Sequence, residues 1–129
     1  MIAVDTHVIV RLLTQDDPIQ FKRAYKLFDS QELFLPDTVI LETEWVLRYA
    51  YEFSPEQINK ALARLFGLSN VHLNIPSVVA RAIEWHKQGM DFSDAFHLAA
   101  SQHCQKLTTF NKKFINKAQG LGNCAVVEL

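Results

Sequence analysis

The chain has 129 residues, 49% of them hydrophobic, and a formal net charge of −1 at pH 7. This length favours a single domain, residues 1–129, with enough apolar material to bury a core without disulfide bonds. The near-neutral charge excludes a general electrostatic attraction to nucleic acid, so binding of RNA or DNA requires a local basic patch.

The cysteine content and the N-terminal sequence favour a cytoplasmic protein. The two cysteines, Cys104 and Cys124, form no CxxC or Cys/His metal-binding spacing, and such sparse use fits a reducing compartment. Asp5 interrupts the first apolar run, and no basic segment precedes that run, which argues against a signal peptide. No apolar stretch is long enough to span a bilayer.

Short apolar runs alternate with segments of helical periodicity along the chain. The runs predict strands at residues 1–4, 32–35, 71–74, 106–109 and 125–127. The periodic segments predict helices at residues 6–14, 18–31, 39–52, 55–67, 76–87, 91–100 and 111–118. Predicted helix caps are Asp17, Asp37 with Thr38, Ser54 and Asp91. The alternation indicates an α/β fold in which helices flank a central, mostly parallel β-sheet.

Acidic residues follow the predicted strands at the edge where parallel sheets bind ligands. Asp5 ends the first strand, and Asp37 and residues 109–111 follow two later strands. Asp5 has a second interpretation, because aspartate is also a good N-cap for the helix that begins at Thr6.

Two glutamates of the segment LETEWVL have different neighbours. Glu44 precedes Arg48 by one helical turn, in the order that favours an ion pair on the helix surface. Glu42 has Val39 and Val46 on its face and no cation one turn away. A carboxylate on an apolar stripe is costly unless a metal ion or another group compensates it. The alternative is that Glu42 lies partly exposed at the edge of the stripe.

The segment DFSDAFHLAA begins a helix with two aspartates. Asp91 suits the N-cap position and Asp94 the third helical position. Asp94 lies off the apolar face, and the helix dipole favours its ionised form. Together, Asp5, Glu42 and Asp94 suit one Mg²⁺ or Mn²⁺ that also binds waters and a phosphate. Such an ion activates water for attack on a phosphodiester.

Four segments, MIAVDTHVIVRLL, LETEWVL, DFSDAFHLAA and LTTFNKKF, follow one another over nearly the whole chain. They resemble the PIN-domain ribonucleases, and more narrowly the VapC toxins of bacterial toxin–antitoxin pairs. The resemblance implies a parallel α/β sheet, RNA cleavage that depends on Mg²⁺ or Mn²⁺, and neutralisation by an antitoxin protein. It assigns the catalytic, metal-binding positions to Asp5, Glu42 and Asp94, and it gives Thr6 a supporting hydroxyl.

Two positions depart from the family pattern. His7 stands where the family usually has asparagine, and it is a candidate for contacting substrate phosphate. Asn111 stands where the family has a fourth acidic residue, which argues against a second metal ion and leaves a one-metal site. Asn111 can still bind a water or offer a carbonyl oxygen. Asp91 can compensate in part, although the capping role is favoured.

Basic and aromatic residues offer further candidates. Lys112, Lys113 and Lys117, with Arg11, form either a local phosphate patch or an ordinary solvated face. His97 is expected to be packed rather than a metal ligand, and His86 and His103 are expected at the surface or the edge of the core. Core or interface positions are expected for Trp45 and Trp85. Aromatic stripes predict a homodimer or an antitoxin helix bound in a groove, and these stripes consist of Phe21, Tyr25, Phe28, Trp45, Tyr49 and Phe53.

Three functions are consistent with these residues to different degrees. The first is a metal-dependent endoribonuclease toxin that is silenced by its antitoxin. The alternative is a PIN-fold binding module whose catalysis is impaired by Asn111. A third class, the aspartate-centred phosphatases and phosphoacceptor receivers, fits less well. A phosphatase of that class has a D-x-D motif, and His7 occupies its second acidic position.

Overall fold

The computed structural model describes residues 1–129 and divides into two compact units, Met1–Asn74 and Ile75–Leu129. Every predicted strand and helix is present in the predicted order. All strand pairs are parallel, which confirms the predicted α/β class. The single domain stays a prediction. None of the seven helices has both the length and the apolar character needed to cross a membrane.

The first unit is built around a three-stranded parallel sheet in the order β1–β2–β3. Its strands are β1 (Ile2–Ala3), β2 (Leu33–Leu35) and β3 (Val71–Leu73). Its helices are α1 (Thr6–Thr14), α2 (Pro18–Ser30), α3 (Asp37–Tyr49) and α4 (Pro55–Phe66). The central strand β2 contributes two side chains without solvent exposure, Leu33 and Leu35. Helix α1 packs against α2 and α3, and α4 packs against α3 and β3.

Two helices of the first unit begin where their capping residues predict. Asp17 accepts hydrogen bonds from the backbone N–H groups of Ile19 (3.1 Å) and Gln20 (3.0 Å). Ser54 accepts one from the N–H of Gln57, whose side chain accepts one from the N–H of Ser54, a complete capping box. In both helices proline follows the cap, where its fixed φ fits the first turn.

The predicted cap of α3 is wrong. Asp37 is the first residue inside α3, and Pro36 occupies the N-cap position without a side-chain hydrogen bond. The side chain of Asp37 instead accepts a hydrogen bond from Asn74 Nδ2 at 3.2 Å. Asp37 follows β2 and Asn74 follows β3, so these two polar groups satisfy each other at the carboxyl edge of the sheet.

The second unit combines a two-stranded parallel sheet with three helices. Its strands are β4 (Lys106–Thr109) and β5 (Ala125–Glu128), and its helices are α5 (Pro76–Lys87), α6 (Phe92–Ala100) and α7 (Lys112–Lys117). Helix α7 packs on both strands, and α5 packs on α6. The ring centroid of Phe92, which is fully buried, is 5.3 Å from that of His86 and 6.1 Å from that of Phe96.

The two glutamates of α3 lie in opposite environments, Glu44 in the core and Glu42 at the surface. Glu44 is 1% exposed, and Arg48 Nη2 donates to its Oε1 at 3.1 Å while Arg48 Nε lies 2.9 Å from its Oε2. The predicted ion pair is therefore confirmed, but its place on the helix surface is wrong. Glu42 is exposed, which agrees with the alternative of a residue at the edge of the apolar stripe. The buried face of α3 consists of Ile40, Thr43, Glu44 and Leu47.

Candidate active site

Asp5 lies directly after β1 and occupies the N-cap position of α1. Its backbone is extended, with φ −84° and ψ 160°, but its side chain makes no capping hydrogen bond. The carboxylate interacts instead with His7, whose Nδ1 lies 3.1 Å from Asp5 Oδ2. This contact, followed by a backbone hydrogen bond at Thr6, holds the pKa of Asp5 below its ordinary value. Asp5 is therefore exposed and ionised, as a ligand for a hard cation must be.

Thr6 is the first residue of α1, and its side chain is almost fully buried. The residue is 2% exposed, and its hydroxyl Oγ1 has no hydrogen-bond partner. A buried hydroxyl without a partner costs free energy, and such groups occur at sites that complete their bonding with a ligand. The family resemblance assigned Thr6 a supporting hydroxyl, and this atom remains available for that role.

Glu42 projects from the exposed face of α3. It makes no hydrogen bond and no ion pair, whereas Glu44 on the same helix is held by Arg48. Glu42 therefore does not lie on a buried apolar stripe, and its charge needs no compensating group. Its availability to bind a cation rests instead on exposure and on the absence of a competing partner.

The two aspartates at the start of α6 have different roles. Asp91 is the N-cap, and its Oδ2 accepts a hydrogen bond from the N–H of Asp94 at 3.2 Å, which confirms the predicted cap. Asp94 is half-buried, and its side chain makes no capping bond. Desolvation raises the pKa of Asp94, and the negative charge of Asp91 raises it further. The nearby His97 acts in the opposite direction.

Asp94 opens onto a cavity of about 380 Å³ in the second unit. Polar groups on its wall are Asp91, Asp94, Asn111, Lys113 and Lys117, and the apolar part is Met90 and Phe114. The cavity therefore contains the carboxylates of Asp91 and Asp94 and also Asn111, the position at which the family resemblance implies a fourth acid.

Asn111 also has a structural role that its position after β4 does not reveal. Its side-chain oxygen accepts a hydrogen bond from the N–H of Phe114 at 3.2 Å and caps α7. An aspartate at this position would provide the same cap. The substitution of asparagine for the family's acid therefore changes the charge of the cavity and preserves the helix start.

The basic residues divide into two groups. Lys113 and Lys117 line the cavity, whereas Lys112 is exposed and is not part of its wall. Arg11 belongs to the first unit and is engaged there with Asp16, at 3.3 Å, and with the hydroxyl of Tyr51, at 3.1 Å. The spacing of Lys113 and Lys117, one helical turn apart, is the sequence signal that separates them from Lys112.

The predictions for the histidines and tryptophans are confirmed only in part. The packed position predicted for His97 is wrong, because this residue is exposed. His86 is buried, at 7% exposure, while His103 is exposed as expected. Trp85 is a core residue, as predicted. Trp45 is 55% exposed, so a core position is wrong for it and an interface position stays a prediction.

The donor chemistry fits a hard divalent cation, which prefers oxygen ligands. Asp5 is kept ionised, Glu42 has no competing partner, and Asp94 has a like charge beside it that a cation would offset. Asp5 and Glu42 belong to the first unit and Asp94 to the second. Within neither unit do three or more His, Cys, Asp or Glu side chains gather to hold an ion.

Replacing Asp91 with asparagine is expected to lower the pKa of Asp94 toward its ordinary value. The substitution removes the neighbouring negative charge and keeps a side-chain oxygen for the cap. Asp94 then loses its proton at a lower pH than in the parent chain. A ¹³C NMR titration of the carboxyl resonances measures the midpoint. Glu84→Gln, an exposed change on α5, is the control, and an equal midpoint in all three chains would contradict the electrostatic explanation.

Comparison with known proteins gives one family match. The sequence model of the PIN-domain family matches residues 2–120 of the chain. The matched range contains all of the acidic candidates, from Asp5 to Asp94, and Asn111. No curated protein is similar enough to count as a match.

Proposed function

The chain belongs to the PIN-domain family, a nuclease fold, and we propose that it is a Mg²⁺- or Mn²⁺-dependent endoribonuclease that hydrolyses RNA phosphodiester bonds. The observation that carries this proposal is the family match over residues 2–120, which spans Asp5, Glu42 and Asp94. The oxygen-only chemistry of these donors and the lowered pKa of Asp5 support it.

In this proposal the three carboxylates hold a single ion. The ion would supply a water activated for attack and charge stabilisation at the phosphate. Thr6 contributes its unpaired hydroxyl beside Asp5. Asn111 can donate a hydrogen bond to a water through its side-chain NH₂ group, because the cap of α7 uses only its carbonyl oxygen. His7 orients the carboxylate of Asp5 through the 3.1 Å contact.

We further propose that the protein is a VapC-type toxin of the cytoplasm, neutralised by a cognate antitoxin. Exposed aromatic side chains support a partner surface, because contiguous apolar groups at a surface mark interaction sites. Trp45 and Tyr49 are 55% and 60% exposed, and their ring centroids lie 5.0 Å apart on α3. Tyr25 is 56% exposed on α2. These side chains are the proposed contacts of a homodimer or an antitoxin helix.

The ribonuclease proposal is tested by incubating the purified chain with total tRNA and ribosomal RNA. Cleavage is expected with Mg²⁺ or Mn²⁺ and is expected to stop when a chelator removes the metal. Asn111→Asp, which keeps the cap of α7 and restores the fourth acid, is expected to cleave at least as fast. Gel electrophoresis of the RNA with mapping of the cut ends measures both results.

The same assay distinguishes the alternative function. Cleavage by Asn111→Asp with none by the parent chain would contradict the proposal and favour a binding module whose catalysis was lost with the fourth acid. Cleavage that persists in chelator would show that the reaction does not use a metal ion. Either result would require a different account of the carboxylates.

A further inference from the structure

Two lysines of α7 share a cavity wall with the carboxylates of α6. Lys113 and Lys117 line the cavity of about 380 Å³ together with Asp91 and Asp94. The two lysines are separated by one helical turn, so they lie on the same face of α7. Both side chains are exposed enough for a bound ligand to reach them.

The ammonium group of Lys117 is placed over the turn that leads into α6. A Cβ built on Gly89 would lie 3.2 Å from Lys117 Nζ, which places the ammonium group close to this turn. Gly89 has φ +103°, which favours glycine independently of the contact. The turn therefore lets the ammonium of Lys117 lie close to the backbone that precedes Asp91.

Neither lysine is neutralised by an ion pair. Asp91 and Asp94 line the same cavity, yet Lys113 and Lys117 form no salt bridge or hydrogen bond. Lysine ammonium groups that face a cavity without a partner are suited to bind anions, and a phosphate carries the charge and acceptor oxygens that match them.

We propose that Lys113 and Lys117 bind backbone phosphates of single-stranded RNA next to Asp94. The inference rests on the proposed ribonuclease function for its RNA ligand. It adds to that function two substrate-binding residues, which hold the strand so that a phosphodiester lies beside Asp94. The proposed ligand is single-stranded RNA, because a flexible single strand can enter a cavity of this size more readily than a rigid duplex.

The salt dependence of RNA binding tests the proposal. Fluorescence anisotropy would follow binding of a labelled oligouridylate of about 12 nucleotides in chelator, where cleavage is absent. Each phosphate contact on a single strand contributes about 0.7 to the slope of log K against log salt concentration. Lys117→Met and Lys113→Met are each expected to lower the slope by about 0.7. Lys117→Arg is expected to restore it, because arginine also binds phosphate.

Lys106→Met is the matched control, since Lys106 is an exposed lysine of the same unit outside the cavity. Its slope is expected to equal that of the parent chain. Equal slopes for the parent chain and Lys117→Met would overturn the proposal, and so would failure of the parent chain to bind the oligomer. Because the assay contains no metal, a lysine-dependent slope without metal-dependent cleavage would retain the phosphate site and reject the nuclease. Metal-dependent cleavage together with a slope that does not depend on the lysines would reject only the phosphate site.

Discussion

Replacing Asp94 with asparagine is expected to lower metal-dependent RNA cleavage by about a thousandfold, equivalent to roughly 4 kcal/mol of activation free energy. Asparagine keeps the size of the side chain and removes the charge that the metal ion requires. The rate of cleavage of a labelled RNA under single-turnover conditions measures the change.

The same substitution is expected to leave folding intact. The pKa of Asp94 is raised in the folded chain, so the fold penalises the ionised form. The penalty is absent below the ordinary aspartate pKa, develops as pH rises through the raised pKa, and is complete above it. At neutral pH without metal, Asp94→Asn should therefore melt at or slightly above the parent temperature. Glu84→Gln is the charge-matched control, and full activity in Asp94→Asn would exclude Asp94 from the site.

Replacing Glu44 with alanine is expected to destabilise the protein by about 3 kcal/mol, because it removes one partner of a buried ion pair. Glu44 is 1% exposed and bound to Arg48, whose side chain is 32% exposed. The partial exposure of Arg48 places the expected loss at the lower end of the range for such pairs. Urea denaturation followed by circular dichroism measures the free energy of unfolding.

Glu42→Ala is the matched control on the same helix. Glu42 is exposed and has no hydrogen bond or ion pair, so its removal should change the free energy of unfolding by less than about 0.5 kcal/mol. It should nevertheless lose metal-dependent cleavage, as expected for a metal ligand. Equal stabilities for Glu42→Ala and Glu44→Ala would contradict the assignment of Glu44 as the structural carboxylate and Glu42 as the functional one.

The order and type of the elements could be predicted because local signals agree with one another. Proline follows the caps Asp17 and Ser54, and the short strands β2 and β3 are apolar runs bounded by turn residues. The cap of α3 could not be predicted in the same way. Asp37 looks like a cap by sequence, but it bonds Asn74 across the sheet edge, a partner far along the chain.

The buried face of α3 illustrates why burial was harder to predict than periodicity. The helix is apolar nearly all round, so the hydrophobic pattern does not select one face. The structure buries Thr43 and Glu44 and exposes Trp45 and Tyr49. The buried carboxylate is tolerated because Arg48 binds it, and this pairing was visible in the sequence while its burial was not.

The candidate site was predictable only where sequence spacing matches local geometry. Helix positions predict Asp91 as the cap, and its hydrogen bond from the N–H of Asp94 confirms this, whereas the functional role of Asp94 comes from the family resemblance and stays a prediction. The capping role of Asn111 and the engagement of Arg11 by Asp16 depend on nearby backbone and side-chain placement. The family pattern gives no information on either.

The most direct test of the three-carboxylate site is a titration of the metal-free chain with Mn²⁺, in which electron paramagnetic resonance measures the bound ion. About one tightly bound ion per parent chain is expected. Loss of that ion is expected in Asp5→Asn, Glu42→Gln and Asp94→Asn, with no change in Glu84→Gln. Binding that survives in all three site variants, or no binding by the parent chain, would contradict a metal site built from Asp5, Glu42 and Asp94.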